Sequence, residues 1–125
     1  MCIRDRLVLV MLVALPVSAD WRQVAKSVSG NVFYVDPATI RKEGNKRKVW
    51  GLTNIANPDA SGIFSRKQRK EFDCAEERYR ALSIIHYSKP MGDGVVLLAD
   101  DRIGQWLEIA PDTVDEELLK LVCAK

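Results

Sequence analysis

The residues in this chain that could do chemistry are few and scattered. His86 is the one histidine, so any Ser-His-Asp or Cys-His arrangement has a single candidate base. It sits between Ile85 and Tyr87, and neither a nucleophile elbow nor a glycine-rich oxyanion loop accompanies it. A structural or solvated histidine is the ordinary role for such a residue, and a small hydrolase using His86 is the distant alternative. The carboxylate pairs Glu76-Glu77 and Asp100-Asp101 could divide acid and base work only in different environments, whereas neighbours in turn-like sequence share one. The expected protein is not an enzyme and has no catalytic residue, cofactor or metal.

Three cysteines remain to be placed, Cys2, Cys74 and Cys123, and the start of the chain decides how they are used. A basic opening, Met1 to Arg6, precedes an apolar run from Leu7 to Val17 and the small residues of a Val17-x-Ala19 cleavage site. That is the pattern of a secretory signal peptide over residues 1–19. The apolar run is too short to cross roughly 30 Å of hydrocarbon as a helix. No cysteine follows the apolar core, so the leader is not an evident lipoprotein signal. The opening hexapeptide also reads like a translated sequencing-adapter tail, so the natural start need not be Met1.

Cleavage after Ala19 leaves residues 20–125, enough for one domain with one core. It removes Cys2 and leaves Cys74 and Cys123, an even pair that in an exported protein predicts a structural disulfide. Metal binding would need more ligands at short spacing. Closing the loop of about 49 residues between Cys74 and Cys123 removes unfolded-state entropy worth about 4 kcal/mol in the chain-entropy model. The formal charge of +2 falls by one on cleavage, leaving no field to draw in nucleic acid or an anionic membrane. No membrane span is expected after cleavage.

The basic run Arg66-Lys67-Gln68-Arg69-Lys70 is the strongest local charge feature. On a strand its side chains alternate, Arg66 and Lys70 one way, Lys67 and Arg69 the other. Charge on both faces suits an edge or protruding strand. The functional reading is a binding patch of Arg66, Lys67, Arg69 and Lys70 for an acidic partner. Against it, a loop centred near Asp59-Ala60 would bring Lys46 and Lys48 towards Asp73 and Glu71 and cancel much of the field. Trp21, Trp50 and Trp106 could line a groove, but their ordinary role in a small sheet protein is core and sheet packing.

The elements that must position these residues are mostly strands. Trp21–Val28 fits a first strand poorly, and Val32–Val35, rich in β-branched and aromatic residues, is a second. Asp36-Pro37 is expected to end it, followed by one helical turn at Ala38-Thr39-Ile40. Gly44-Asn45 supplies a tight hairpin, and Arg47–Ile55 follows as a strand. Further strands are expected over Ile63–Cys74, Arg78–Tyr87 and Val95–Leu98, with a last extended piece at Gln105–Ile109. Thr113 with Glu116 forms a capping box for a helix to about Cys123, whose stripe is Val114, Leu118, Leu121 and Val122. The fold class is α+β: an antiparallel sheet of about six strands with a C-terminal helix packed on it, tied by one disulfide.

The order of short motifs resembles the surface-adhesin protein E-like domain family of Gram-negative bacteria. The resemblance rests on Phe33-Tyr34-Val35-Asp36 with Ile40, Val49-Trp50, Glu71-Phe72-Asp73-Cys74, Tyr87, Met91-Gly92-x-Gly94, Trp106, Ile109-x-Pro111 and Val122-Cys123. Together these span nearly all of residues 20–125. The resemblance implies the same sheet, helix and Cys74–Cys123 link. It also implies an exported, non-enzymatic binding protein of the cell envelope or periplasm. The partners implied are proteins, either host matrix and serum proteins such as vitronectin and laminin or other envelope proteins, with a homodimer as the assembly to test. A periplasmic structural or assembly component is the alternative function.

Overall fold

The computed structural model describes residues 20–124. The expected leader, residues 1–19, lies outside them. Seven antiparallel strands build one sheet: β1 (Arg22–Lys26), β2 (Val32–Glu43), β3 (Lys46–Asn54), β4 (Ser65–Asp73), β5 (Arg78–Tyr87), β6 (Val96–Asp100) and β7 (Leu107–Glu108). The first six lie side by side in chain order, and β7 pairs with the same side of β5 as β6 does. A single helix, α1 (Val114–Cys123), closes the chain.

Each join has a local cause. Gly44 takes φ of +58° in the two-residue turn between β2 and β3, while Asn45 keeps an ordinary negative φ. The register Lys46↔Asp73 to Asn54↔Ser65 centres the β3–β4 loop on Asp59-Ala60, as expected. At α1, the Thr113 hydroxyl accepts from Glu116 N–H, and Glu116 Oε1 accepts from Asp112 N–H. The capping box is therefore closed one residue further back than its usual form.

Two expectations are overturned. The chain does not leave the sheet at Asp36-Pro37, and no helical turn forms at 38–40; β2 continues to Glu43. The pairing with β3 shifts between Asp36 and Arg41, so Pro37 occupies a position where no ladder bond is required. Side chains satisfy the backbone instead: Asp36 Oδ1 accepts from Ala38 N–H, and Thr39 Oγ1 donates to Asp36 O and accepts from Trp50 N–H. The second correction concerns β4, which is a central strand rather than an edge. Arg78–Tyr87 pairs along its whole length and covers it.

The core lies on one face of the sheet. Val35, Val49 and Phe72 meet Leu118 and Val122 of α1, with Ile40, Tyr79 and Val114 packed around them. Each large side chain fully buried here stabilises the fold by roughly 1.5–3 kcal/mol. None of the three tryptophans belongs to this cluster; of the core and sheet-packing role expected for them, they fill the second, on the opposite face. Cys74, one residue past β4, bonds Cys123 at the end of α1, with Cα atoms 5.8 Å apart. The disulfide anchors one end of the helix to the sheet, and Lys70 Nζ, 2.8 Å from Asp115 Oδ1, anchors the other.

Candidate functional site: the helix-free face of the sheet

Alternation along β2, β3 and β4 sends Asp36, Trp50, Lys67 and Arg69 to the face opposite α1. Arg22 pairs with Val35, and extending that register by one residue brings Trp21 alongside Asp36. Asp36 also pairs with Trp50, and Trp50 with Arg69, so one row across the sheet reads Trp21, Asp36, Trp50, Arg69. Trp21, Asp36 and Trp50 of this row line a shallow groove of about 320 Å³, completed by Thr39, Lys67, Ile85 and Tyr87. Lys67 Nζ stands 5.9 Å from the Trp21 ring centre and 5.3 Å from that of Tyr87.

A short turn, the 3-10 segment Pro90–Gly92, folds over one end of this face. Buried Ser65 holds it in place, donating to Lys89 O at 2.6 Å and accepting from Gly92 N–H at 2.9 Å. Leu52 is buried beneath the turn although it points away from the helix.

The other end carries paired charges under Trp106. Arg78 and Arg80 stack on the indole at 4.7 and 4.5 Å, and Lys46 approaches it at 5.8 Å. Their carboxylates are Asp73, 3.1 Å from Arg78 Nε, and Glu71, 2.7 Å from Arg80, both buried. Burial would raise the Asp73 pKa, but the Glu76 N–H, Arg78 and Lys46 outweigh it and hold the carboxyl below its ordinary value. The expected cancellation of Lys46 by Asp73 is thus present, though arginines supply the closer partners.

The four residues of the basic run do not form one patch. Lys67 and Arg69 stand on the helix-free face. Lys70 points to the helix side, where it pairs with Asp115 and lies 4.8 Å from the Tyr79 ring centre. Arg66 is on that side too, opposite His86 and at the β3–β4 loop beside Asp59 and Ser61. The cross-strand neighbours of His86 are Arg66 and Leu98. Burial and the Arg66 charge both lower the His86 pKa. Among the described residues, no group of three His, Cys, Asp or Glu side chains is placed to hold a metal ion.

Sequence reasoning missed Asp36 and Tyr87 as groove residues. Asp36 looked like a strand terminator, and only the β2 irregularity reveals that it stays in the sheet between two tryptophans.

The architecture is that of a small antiparallel sheet closed by one helix and tied to it by a disulfide. Comparison with known families narrows that description: the sequence model of surface-adhesin protein E matches residues 21–124, and the chain belongs to that family. Three solved structures of Haemophilus influenzae protein E share the fold. One, crystal form II, is 19% identical with a TM-score of 0.66, over 86% of this chain and 90% of that one. Another is 19% identical with a TM-score of 0.65, over 86% of each chain. Protein E from non-typeable Haemophilus influenzae is 18% identical with a TM-score of 0.60, over 86% of this chain and 78% of that one. No curated protein sequence matches the chain. The chain is a surface-adhesin-like binding protein, and its family is one of adhesins rather than enzymes. Membership implies export. No helix among the described residues is long and apolar enough to cross a membrane.

Proposed function

We propose that residues 1–19 are removed on export and that the remaining domain acts at the cell envelope. There it binds an extracellular or envelope protein through the helix-free sheet face. The observation that carries this reading is the placement of Lys67 and Arg69 beside Trp21, Trp50 and Tyr87. Tryptophan, tyrosine and arginine are the side chains that anchor interfaces, and Trp21, Trp50, Tyr87 and Arg69 supply all three types here. Neither Lys67 nor Arg69 has a carboxylate partner within salt-bridge distance among the described residues, unlike Lys70. Of the basic run, Lys67 and Arg69 are therefore the contacts, and Arg66 and Lys70 serve the helix side.

The test is binding of the purified domain to immobilised laminin and vitronectin at rising salt. Lys67→Ser with Arg69→Ser should weaken binding and flatten its salt dependence without changing the melting temperature. Binding equal to wild type would remove this face as the adhesive surface. Fractionation and protease shaving of the native host locate the protein. Exposure at the surface supports adhesion, and retention in the periplasm points to an assembly partner within the envelope.

A second copy is the partner we assign to the β6 edge. Val96 and Leu98 are 57% and 56% exposed there, and Val95, Leu97, Ile103 and Leu107 extend the same apolar margin. An unprotected apolar edge is suited to pairing with another strand. Light scattering should report a dimer that Leu97→Lys converts to monomer, and a monomeric wild type would discard this assembly.

A further inference from the structure

Asp36 is only 6% exposed, yet no cation lies within salt-bridge distance of it among the described residues. Its Oδ1 is used by Ala38 N–H at 3.1 Å, and no hydrogen bond is made to Oδ2 among those residues. Oδ2 keeps some contact with solvent at the groove, so the carboxylate is open to a cation arriving there. Its flanks are the indoles of Trp21 and Trp50, whose faces attract an organic cation, most strongly in a partly dry site. The same groove is lined by Lys67, whose ammonium lies over the rings of Trp21 and Tyr87 and has no carboxylate within salt-bridge distance among the described residues.

The groove thus presents one fixed negative and one fixed positive group, unpaired with each other, between aromatic walls. A simple cation would meet Asp36 but be repelled by Lys67, and a simple anion would meet the reverse. Only a ligand carrying both charges satisfies both ends. The volume, about 320 Å³, lies at the small end of ligand sites, which run from roughly 300 to 1,000 Å³. The strand irregularity at Asp36–Arg41 is of the kind that re-aims side chains at sites.

We propose that this groove binds a small organic zwitterion, its ammonium group seated on Asp36 between Trp21 and Trp50 and its acidic group on Lys67. The inference goes beyond the adhesive reading and does not depend on it. Carnitine is the probe, a quaternary ammonium with a carboxylate a few bonds away; choline and butyrate each carry half of its charge. Titration of the intact domain, followed by the indole N–H signals in NMR, should move Trp21 and Trp50 saturably and leave Trp106 in place. Choline and butyrate should bind about tenfold more weakly than carnitine.

Asp36→Asn keeps the oxygen that Ala38 uses, so the local turn survives while the charge is lost, and carnitine should bind about tenfold more weakly. Lys67→Met keeps the stem and removes the ammonium, and should erase the preference for carnitine over choline. Absence of a saturable response in the millimolar range would overturn the proposal. So would carnitine binding unchanged in both variants, each shown folded by its thermal melt.

Discussion

Lys70 Nζ lies 2.8 Å from Asp115 Oδ1, joining the central strand β4 to the first turn of α1 across 45 residues of sequence. Both side chains are largely shielded, and the partner carboxylate sits where the helix dipole already favours negative charge. The bond therefore acts as a second fastening for the helix, opposite the disulfide. Lys70→Ser should lower stability by about 1–2 kcal/mol. A cycle with Asp115→Asn, read by chemical denaturation, should show the two changes to be strongly non-additive. Additive losses would mean that the pair contributes nothing to the docking of α1.

Removal of the Cys74–Cys123 bond should cost more. Its loop of 49 residues corresponds to about 4 kcal/mol of unfolded-state entropy in the chain-entropy model. The helix of ten residues is too short to hold itself together in water once undocked. Cys123→Ser should thus lower the denaturation midpoint sharply and open the amides of α1 to hydrogen exchange before those of β3 and β4. Global exchange at one common rate would show that helix and sheet remain a single cooperative unit without the bond.

Gly92 governs the position of Lys67. It has φ of +71°, and a Cβ placed there would lie 2.6 Å from Lys67 Cε and 3.4 Å from Leu52 Cδ1. The lysine tip can move, but the backbone conformation still disfavours any L side chain. Gly92→Ala should destabilise the domain by about 1–2 kcal/mol and displace Lys67 from the rings of Trp21 and Tyr87. A changed Trp21 indole signal in NMR alongside the lower melting temperature is the expected result.

How much of this was legible in the sequence depended on whether the cause was local. The capping box at Thr113, the span of β5 and the disulfide could all be read from residue types and spacing. Asp36-Pro37 could not, because its strand is completed by Thr39 reaching Trp50 on a neighbouring strand. The basic run has, locally, the charge pattern of an edge strand. Its place at the centre depends on Asp115 taking Lys70, and on Trp21 and Tyr87 flanking Lys67 on the other face. Which of the two ordinary roles the tryptophans take is likewise not local: the core face is filled by aliphatic residues, Phe72 and the helix, so the indoles pack on the opposite face of the sheet.

His86 gives the fold a pH dependence of defined sign. Burial and the nearby Arg66 charge lower its pKa below the ordinary value of 6.5. The folded protein therefore binds a proton at His86 less readily than the unfolded chain does. Stability contributed by the neutral ring is complete above pH 6.5, declines as the unfolded chain begins to take up the proton, and levels off below the folded pKa. Asp73, whose folded pKa is also depressed, adds a second loss of the same sign at lower pH, beginning near the ordinary carboxylate value of 3.8. Denaturation midpoints of the wild type should fall between pH 7 and 5, whereas His86→Gln should be nearly flat over that interval and should fall only on further acidification. A wild-type midpoint that rose towards pH 5 would mean that protonated His86 finds an acceptor in the folded state, reversing the assignment.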